Sequence, residues 1–111
     1  MWIITAQGFY SIVKKAGDPP GMLTIRARVK NDLLNLQSKL PSMSSIVESD
    51  DSDYRYRAFA KPEDVAQAVS DMIMKIDYPN FKNKVSDGNL YRGAVYSSVW
   101  GELMRIEHEE A

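Results

Sequence analysis

The sequence predicts an α+β fold, in which helices pack on one face of an antiparallel sheet. Some segments alternate apolar and polar residues with the period of two that strands have, whereas others repeat apolar residues every three or four positions, as helices do. The length of 111 residues suits a single domain over residues 1–111. A content of 44% hydrophobic and 26% charged residues is that of a globular chain.

Three strands are expected in the amino-terminal third. Trp2–Thr5 and Phe9–Val13 are rich in aromatic and β-branched residues, and Ala6–Gly8 between them indicates a tight hairpin. Gly17–Gly21 indicates a loop, because its prolines cannot continue a strand. The strict alternation of Leu23–Lys30 predicts a half-buried strand.

A short helix and a second hairpin are expected next. The leucines at positions 33, 36 and 40 share one helical face, with Asn31 or Asp32 as N-cap and Pro41 as the end. Ser44–Glu48 is a weak strand, and Tyr54–Phe59 is an alternating one.

The acidic turn Ser49–Asp53 joins the two strands of this second hairpin. It lacks the glycine and the distal glutamate of a calcium-binding loop. A solvated turn therefore explains these acidic residues better than a calcium site does.

Two helices complete the prediction. The first begins at Pro62, which suits the first helical position, and its apolar face extends to Ile76. Asp77–Phe81 interrupts it, because a residue before proline avoids helical geometry. The last helix runs from about Leu90 to Ile106. Its apolar residues along one side are Tyr91, Val95, Val99, Leu103 and Ile106. The central order strand–helix–strand–strand–helix predicts a ferredoxin-like arrangement.

Arginines on two predicted strands are the main candidate binding residues. If Ile25 faces the helices, Arg26 and Arg28 project from the opposite face of the sheet. Arg55 and Arg57 of the later strand would join them. Planar guanidinium groups bind phosphate and carboxylate oxygens bidentately, so the four suit an anionic ligand such as a nucleotide or single-stranded RNA. The alternative is a solvated face paired with acidic neighbours.

Aromatic residues near these arginines also allow two interpretations. They could be stacking platforms for bases, or strand formers that pack in the core, and Tyr54 and Tyr56 are expected to face the core. Asp77, Tyr78 and Asn80 form a candidate binding loop. A helix stop with a capped turn, anchored by Tyr78 and Phe81, is the alternative for that segment.

The composition excludes several kinds of site. Without cysteine and with one histidine, His108, the chain cannot form a zinc ribbon, an iron–sulfur site or a catalytic thiol, so no metal site and no cofactor is predicted. A nucleophile elbow and a glycine-rich phosphate loop are both absent, which makes an enzyme less expected than a binding protein. Because no signal peptide or spanning stretch is visible, a cytoplasmic location and no membrane partner are expected.

The net charge of −1 conceals an asymmetry along the chain. Residues 1–41 contain six Lys and Arg against two Asp and Glu, whereas residues 42–111 contain eight against thirteen. A chain whose two parts carry net charges of opposite sign can pair with itself or with a charged partner.

Five motifs span most of the chain. They are W-I-I-T-x-x-G-F-Y-S-I-V at Trp2–Val13, L-T-I-R-A-R-V-K-x-D-L at Leu23–Leu33, D-Y-x-Y-R at Asp53–Arg57, I-D-Y-x-N-F-K at Ile76–Lys82 and V-W at Val99–Trp100. Together they resemble a small family of uncharacterised bacterial proteins of about this size. The resemblance implies a free-standing bacterial or phage protein and transfers no catalytic residue.

The sequence leads to a first and a second functional hypothesis. The first is a non-enzymatic module that binds another protein or itself, because six methionines, two tryptophans and an open sheet face accompany the missing catalytic motifs. A phage inhibitor of a host enzyme is a variant of it. The second is a binder of an anionic ligand through the four arginines.

Overall fold

The computed structural model describes residues 1–50 and 52–110. The acidic turn expected at Ser49–Asp53 therefore falls partly outside the described residues. The chain forms two compact units, Met1–Ile76 and Asp77–Ala111, which are described separately below. The first unit contains an antiparallel sheet with two helices, and the second contains two further helices, so the α+β class is confirmed.

Nine regular elements make up the described part of the chain. The strands are β1 (Trp2–Ile4), β2 (Phe9–Val13), β3 (Leu23–Ala27), β4 (Val47–Glu48) and β5 (Tyr56–Ala60). The helices are α1 (Lys30–Gln37), α2 (Pro62–Met74), α3 (Phe81–Gly88) and α4 (Leu90–Glu110). The first hairpin and the start of α2 at Pro62 agree with the sequence prediction.

The five strands lie in the order β1-β2-β3-β5-β4, and each neighbouring pair is antiparallel. Strands β3 and β4 are therefore parallel, with β5 between them, which is the split β-α-β unit of ferredoxin-like folds. In a full ferredoxin-like unit a further strand follows the second helix. Here α2 leads to helices, and β2 from the amino-terminal hairpin lies beside β3. The ferredoxin-like arrangement thus covers only the segment from β3 to α2.

The core of the first unit lies between one sheet face and the helices α1 and α2. Alternate strand residues point inward, so that Ile25 and Ala27 of β3 and Ala58 of β5 are completely buried. They pack with Leu33 of α1 and Val65 of α2 in one apolar cluster. Helices on a single side leave the other sheet face, here called the outer face, uncovered by them.

Asp32 joins the first hairpin to α1. Its buried carboxylate accepts a hydrogen bond from the main-chain N–H of Phe9 at 3.1 Å, and its main-chain carbonyl accepts one from the Tyr10 hydroxyl at 2.7 Å. The prediction of Asn31 or Asp32 as N-cap is wrong, since Val29 occupies that position without a side-chain hydrogen bond. The Asp32 carboxylate bonds a neighbouring strand instead of its own helix.

The second unit is a pair of helices in contact. Asn80 caps α3 by accepting a hydrogen bond from the main-chain N–H of Asn83 at 3.0 Å. The rings of Phe81 and Tyr96 stack with their centroids 5.8 Å apart. Gly93 allows α4 to approach α3 closely, because a Cβ there would lie 3.0 Å from the Cα of Ser86.

Candidate functional site

The outer face carries a row of side chains that runs straight across all five strands. In register, Trp2 pairs with Ser11, Ser11 with Arg26, Arg26 with Arg57, and Arg57 with Val47. Residues paired in this way project from the same face of a sheet. The row therefore places an indole, a small hydroxyl and two guanidinium groups side by side.

Tyr54 is the centre of a cluster at this row. The Cζ atoms of Arg26 and Arg28 lie 4.4 Å and 4.7 Å from the centroid of its ring, and the Phe9 ring is 6.4 Å away. Cation–π contacts of this kind cover the ring, which is buried. The expectation that Tyr54 lies in a strand and faces the core is wrong, because β5 begins at Tyr56 and the Tyr54 ring packs on the outer-face residues.

Three of the predicted arginines donate to uncharged oxygens. Arg26 Nη2 donates to Ser11 Oγ at 2.7 Å. Arg28 Nη1 donates to the main-chain carbonyl of Asp53 at 3.1 Å, and Arg57 Nη2 donates to Ser52 Oγ at 3.0 Å. Between these three arginines and the carboxylates of residues 1–50 and 52–110 there is no ion pair.

The Nε atoms of Arg26 and Arg57 are buried and lack a hydrogen-bond partner within the described part of the chain. A buried donor without an acceptor costs about 1–3 kcal/mol. Two like charges in register on neighbouring strands add electrostatic repulsion. This part of the outer face is therefore positive and incompletely compensated.

Arg55 lies in a different environment from the other three arginines. Its Nε is 3.0 Å from Glu48 Oε1, and its Nη2 is 3.0 Å from Asp50 Oδ1. These carboxylates, Asp50 foremost, raise the pKa of the Arg55 guanidinium. The structure thus brings Arg26, Arg28 and Arg57 together and leaves Arg55 in a compensated ion-pair cluster.

Asp18 is a carboxylate within electrostatic range of Arg57. The neighbouring Thr24 hydroxyl lowers the pKa of Asp18 most, and the main-chain N–H of Lys15, which donates to the Asp18 carboxylate at 2.7 Å, lowers it further. Arg57 makes a smaller electrostatic contribution in the same direction.

The lowered pKa of Asp18 predicts a specific acid dependence. The ionised carboxylate stabilises the fold at pH values above its ordinary pKa of 3.8, and this stabilisation is lost as the pH falls through the lowered value. We expect Asp18→Asn to be less stable than the wild type near neutral pH, and the difference to shrink as the pH falls below 3.8. Thermal unfolding at a series of pH values measures this difference. A difference that did not change with pH would contradict the prediction.

The segment predicted as a possible binding loop is held by local contacts of the second unit. Asn80 caps α3, as described above. Asp77 Oδ1 lies 3.6 Å from Lys84 Nζ, and the rings of Tyr78 and Phe81 are 6.2 Å apart. These contacts hold the segment at the start of α3.

Helix α4 exposes a surface whose extent the sequence did not indicate. The helix has 21 residues, whereas α3 has 8, and every described residue of α4 after Trp100 is exposed. The exposed large apolar side chains are Leu90, Tyr91, Val95, Trp100, Leu103, Met104 and Ile106. The sequence marks one of their faces as apolar, but periodicity cannot tell a buried face from an exposed one.

Val95, Val99, Leu103 and Ile106, here called the α4 stripe, recur at intervals of four, four and three residues. This spacing keeps them on one side of a helix. Val99 is half-buried, and the other three are exposed. Residues 89–101 carry Arg92 as their charged residue, whereas residues 102–110 carry four glutamates and one arginine.

A groove of about 470 Å³ lies within the first unit, beside α2. Its lining is Met1, Ile12, Leu23, Pro62, Val65, Ala66, Val69, Ser70, Ile73 and Met74. These side chains are almost all apolar and include no carboxylate, so the groove does not offer the acidic pair that an acid–base reaction would use.

Neither a metal centre nor a membrane span is found among the residues that the structure describes. Within them, no group of three or more His, Cys, Asp or Glu side chains could hold a metal ion. Of the described helices, none has both the length and the apolarity needed to cross a bilayer. The chain matches no family model, no curated protein and no solved structure.

Proposed function

We propose that this protein is a non-enzymatic interaction module that forms a homodimer through antiparallel pairing of α4 with α4 of a second copy. The observation that carries the proposal is the exposed α4 stripe, which extends well beyond the reach of α3. An exposed apolar surface of this extent marks a protein–protein contact. We place the module in the cytoplasm, as expected from a sequence in which no signal peptide is visible.

The spacing of the stripe supports an antiparallel pair. With a twofold axis near Gly101, Val95 of one copy lies beside Ile106 of the other, and Val99 lies beside Leu103. The same pairs form on both sides of the axis, as a symmetric dimer requires. Each apolar side chain of the stripe thus finds an apolar neighbour.

The charges of α4 favour the same direction. Antiparallel pairing brings the acidic residues 102–110 of one copy alongside residues 89–101 of the other, which carry Arg92. It also sets the negative carboxyl end of each helix dipole against the positive amino end of its partner. A parallel pair would place both sets of four glutamates side by side, where they repel.

Leu103→Asp tests this proposal, with Leu90→Asp as the matched control. Both residues are exposed leucines of α4, but Leu90 lies on the side opposite the stripe. An aspartate at position 103 would be buried in the dimer without a partner, so we expect at least a 100-fold weaker association. Sedimentation velocity should give twice the chain mass of 12.6 kDa for the wild type and for Leu90→Asp, and 12.6 kDa for Leu103→Asp.

Two results of the same experiment would contradict the proposed homodimer. A wild-type chain that stays at 12.6 kDa up to high micromolar concentration would contradict self-association. Equal weakening by both substitutions would also contradict it, because the effect would then not depend on the stripe. Circular dichroism of both variants confirms that α4 remains helical.

A further inference from the structure

We infer that the outer face of the sheet holds a binding site for a phosphate group attached to an aromatic base, in a free nucleotide or in a single strand of nucleic acid. Arg26, Arg28 and Arg57 would hold the phosphate, and Trp2 would stack on the base. This site lies in the first unit and does not depend on the α4 dimer.

The guanidinium groups provide the anion-binding part of the site. Arg26 and Arg57 are in register on β3 and β5, and Arg28 shares the Tyr54 ring with Arg26. The hydrogen bonds that the three guanidinium groups donate go to two serine hydroxyls and one main-chain carbonyl, all of them uncharged. A phosphate would neutralise charges that now repel each other, and its oxygens would accept from guanidinium groups in the charge-assisted geometry that arginine favours.

Tyr54 holds two of these groups in place before any ligand binds. Both guanidinium groups lie within 5 Å of its ring centroid, at 4.4 Å and 4.7 Å. Side chains that are already ordered lose less conformational entropy when they bind. The cluster is therefore preorganised for an anion.

Trp2 provides a stacking surface in the same row. Its side chain is 67% exposed, although an edge-to-face contact with Phe9, at a centroid distance of 5.6 Å, holds it in place. Trp2 and Arg26 are two strands apart, or about 9–10 Å, and Ser11 is the residue in register between them. This separation suits a nucleotide whose base lies on the indole and whose phosphate reaches the arginines.

A purely structural role is the alternative for these arginines, since they also cover Tyr54. Arg28 separates the two roles, because it is exposed while it contacts the ring. Arg55 is the matched control, because it is an exposed arginine that contacts a tyrosine ring, that of Tyr56, and pairs with two carboxylates outside the row.

The experiment is a titration followed by the fluorescence of Trp2, in a Trp100→Phe background that removes the other tryptophan. The probes are adenosine triphosphate, inorganic triphosphate and a short single-stranded oligouridylate, all at low salt. We expect the two base-containing probes to quench Trp2, and inorganic triphosphate to compete with them without quenching. Arg28→Gln should weaken binding about tenfold, and Arg55→Gln should leave it unchanged within about twofold.

The comparison of the probes also shows whether the phosphate belongs to a free nucleotide or to a single strand of nucleic acid. Tighter binding of the oligouridylate, with an affinity that falls steeply as salt is raised, indicates a single strand. Tighter binding of adenosine triphosphate indicates a free nucleotide. Leu103→Asp should bind the probes as the wild type does, so that failure of the dimer and failure of this site can be told apart.

Three results would overturn the inference. One is the absence of binding by every probe at low salt. Another is equal weakening by Arg28→Gln and Arg55→Gln, which would indicate diffuse charge instead of a site. The third is an affinity for inorganic triphosphate, measured by its competition with adenosine triphosphate, that equals the affinity for adenosine triphosphate itself, which would exclude a role for the indole.

Discussion

Leu33→Ala is expected to lower the free energy of unfolding of the first unit by about 2–5 kcal/mol. Leu33 is 0% exposed and packs between α1 and the inner face of the sheet. Truncation to alanine removes buried methyl groups and leaves a cavity that the two rigid layers can fill only in part. Because a domain is stable by only about 5–15 kcal/mol in total, the loss will be plain in urea unfolding followed by circular dichroism.

The neighbouring leucine of the same helix is the control for this substitution. Leu34 is 45% exposed and lies outside the core cluster. Leu34→Ala has the same chemistry and should change the free energy of unfolding by less than about 0.5 kcal/mol. A loss at Leu34 as large as that at Leu33 would mean that α1 presents a different face to the sheet.

Gly8→Ala is expected to destabilise the first unit by about 1–3 kcal/mol, because the hairpin between β1 and β2 leaves no room for a methyl group. A Cβ at position 8 would lie 2.8 Å from Cβ and Cγ of Asp32 and 2.8 Å from the Tyr10 hydroxyl oxygen. Relief of this overlap must displace Asp32, whose carboxylate accepts from the N–H of Phe9. The same urea unfolding experiment measures the effect.

Gly17→Ala is the matched control in the following loop. No atom outside its immediate chain neighbours lies within 4 Å of a Cβ built at Gly17, so the added methyl group meets open space. We expect this variant to be as stable as the wild type or slightly more stable, because alanine restricts the unfolded chain. If Gly8→Ala were equally well tolerated, the close contact between the hairpin and Asp32 would be excluded.

Elements set by local chemistry could be predicted from the sequence. The aromatic and β-branched residues of β2 predicted Phe9–Val13, and the proline at the start of α2 predicted Pro62, as the structure has them. Helix α3 was missed because its eight residues include only two large apolar side chains, Phe81 and Val85, which set up no periodicity. The Asn80 cap was the signal that could have found it.

Features decided by tertiary contacts could not be predicted. Asp32 is a residue type that commonly caps helices at the amino end, but its carboxylate accepts a hydrogen bond from β2, which is distant in sequence. Tyr54 continues the alternation of β5 in the sequence, yet it lies on the outer face, where Arg26 and Arg28 cover its ring. The sequence grouped four arginines, and only the fold distinguishes Arg55, which pairs with Glu48 and Asp50.

Two components of the proposed binding surfaces, Trp2 and the α4 stripe, also could not be recognised from the sequence. Trp2 resembles an ordinary strand residue until the register places it in one row with Arg26 and Arg57. The α4 stripe resembles a core face until the length of α4 is compared with that of α3. In both cases the missing information is which residues of distant segments become neighbours, and local periodicity does not contain it.

The distance between spin labels on the two copies of α4 tests antiparallel pairing most directly. The chain has no cysteine, so a single cysteine at Ser98 or at Glu109 takes one label in each copy. These exposed positions are three helical turns apart and share one side of α4. With the twofold axis near Gly101, the labels at position 98 are offset by about 9 Å along the helices, and those at position 109 by about 24 Å.

We therefore predict a clearly longer distance for the labels at position 109 than for those at position 98, measured by pulsed electron spin resonance. Equal distances at the two positions would indicate a parallel pair. The absence of any dipolar interaction at micromolar concentration would indicate a monomer. Either result would contradict an antiparallel dimer formed by α4.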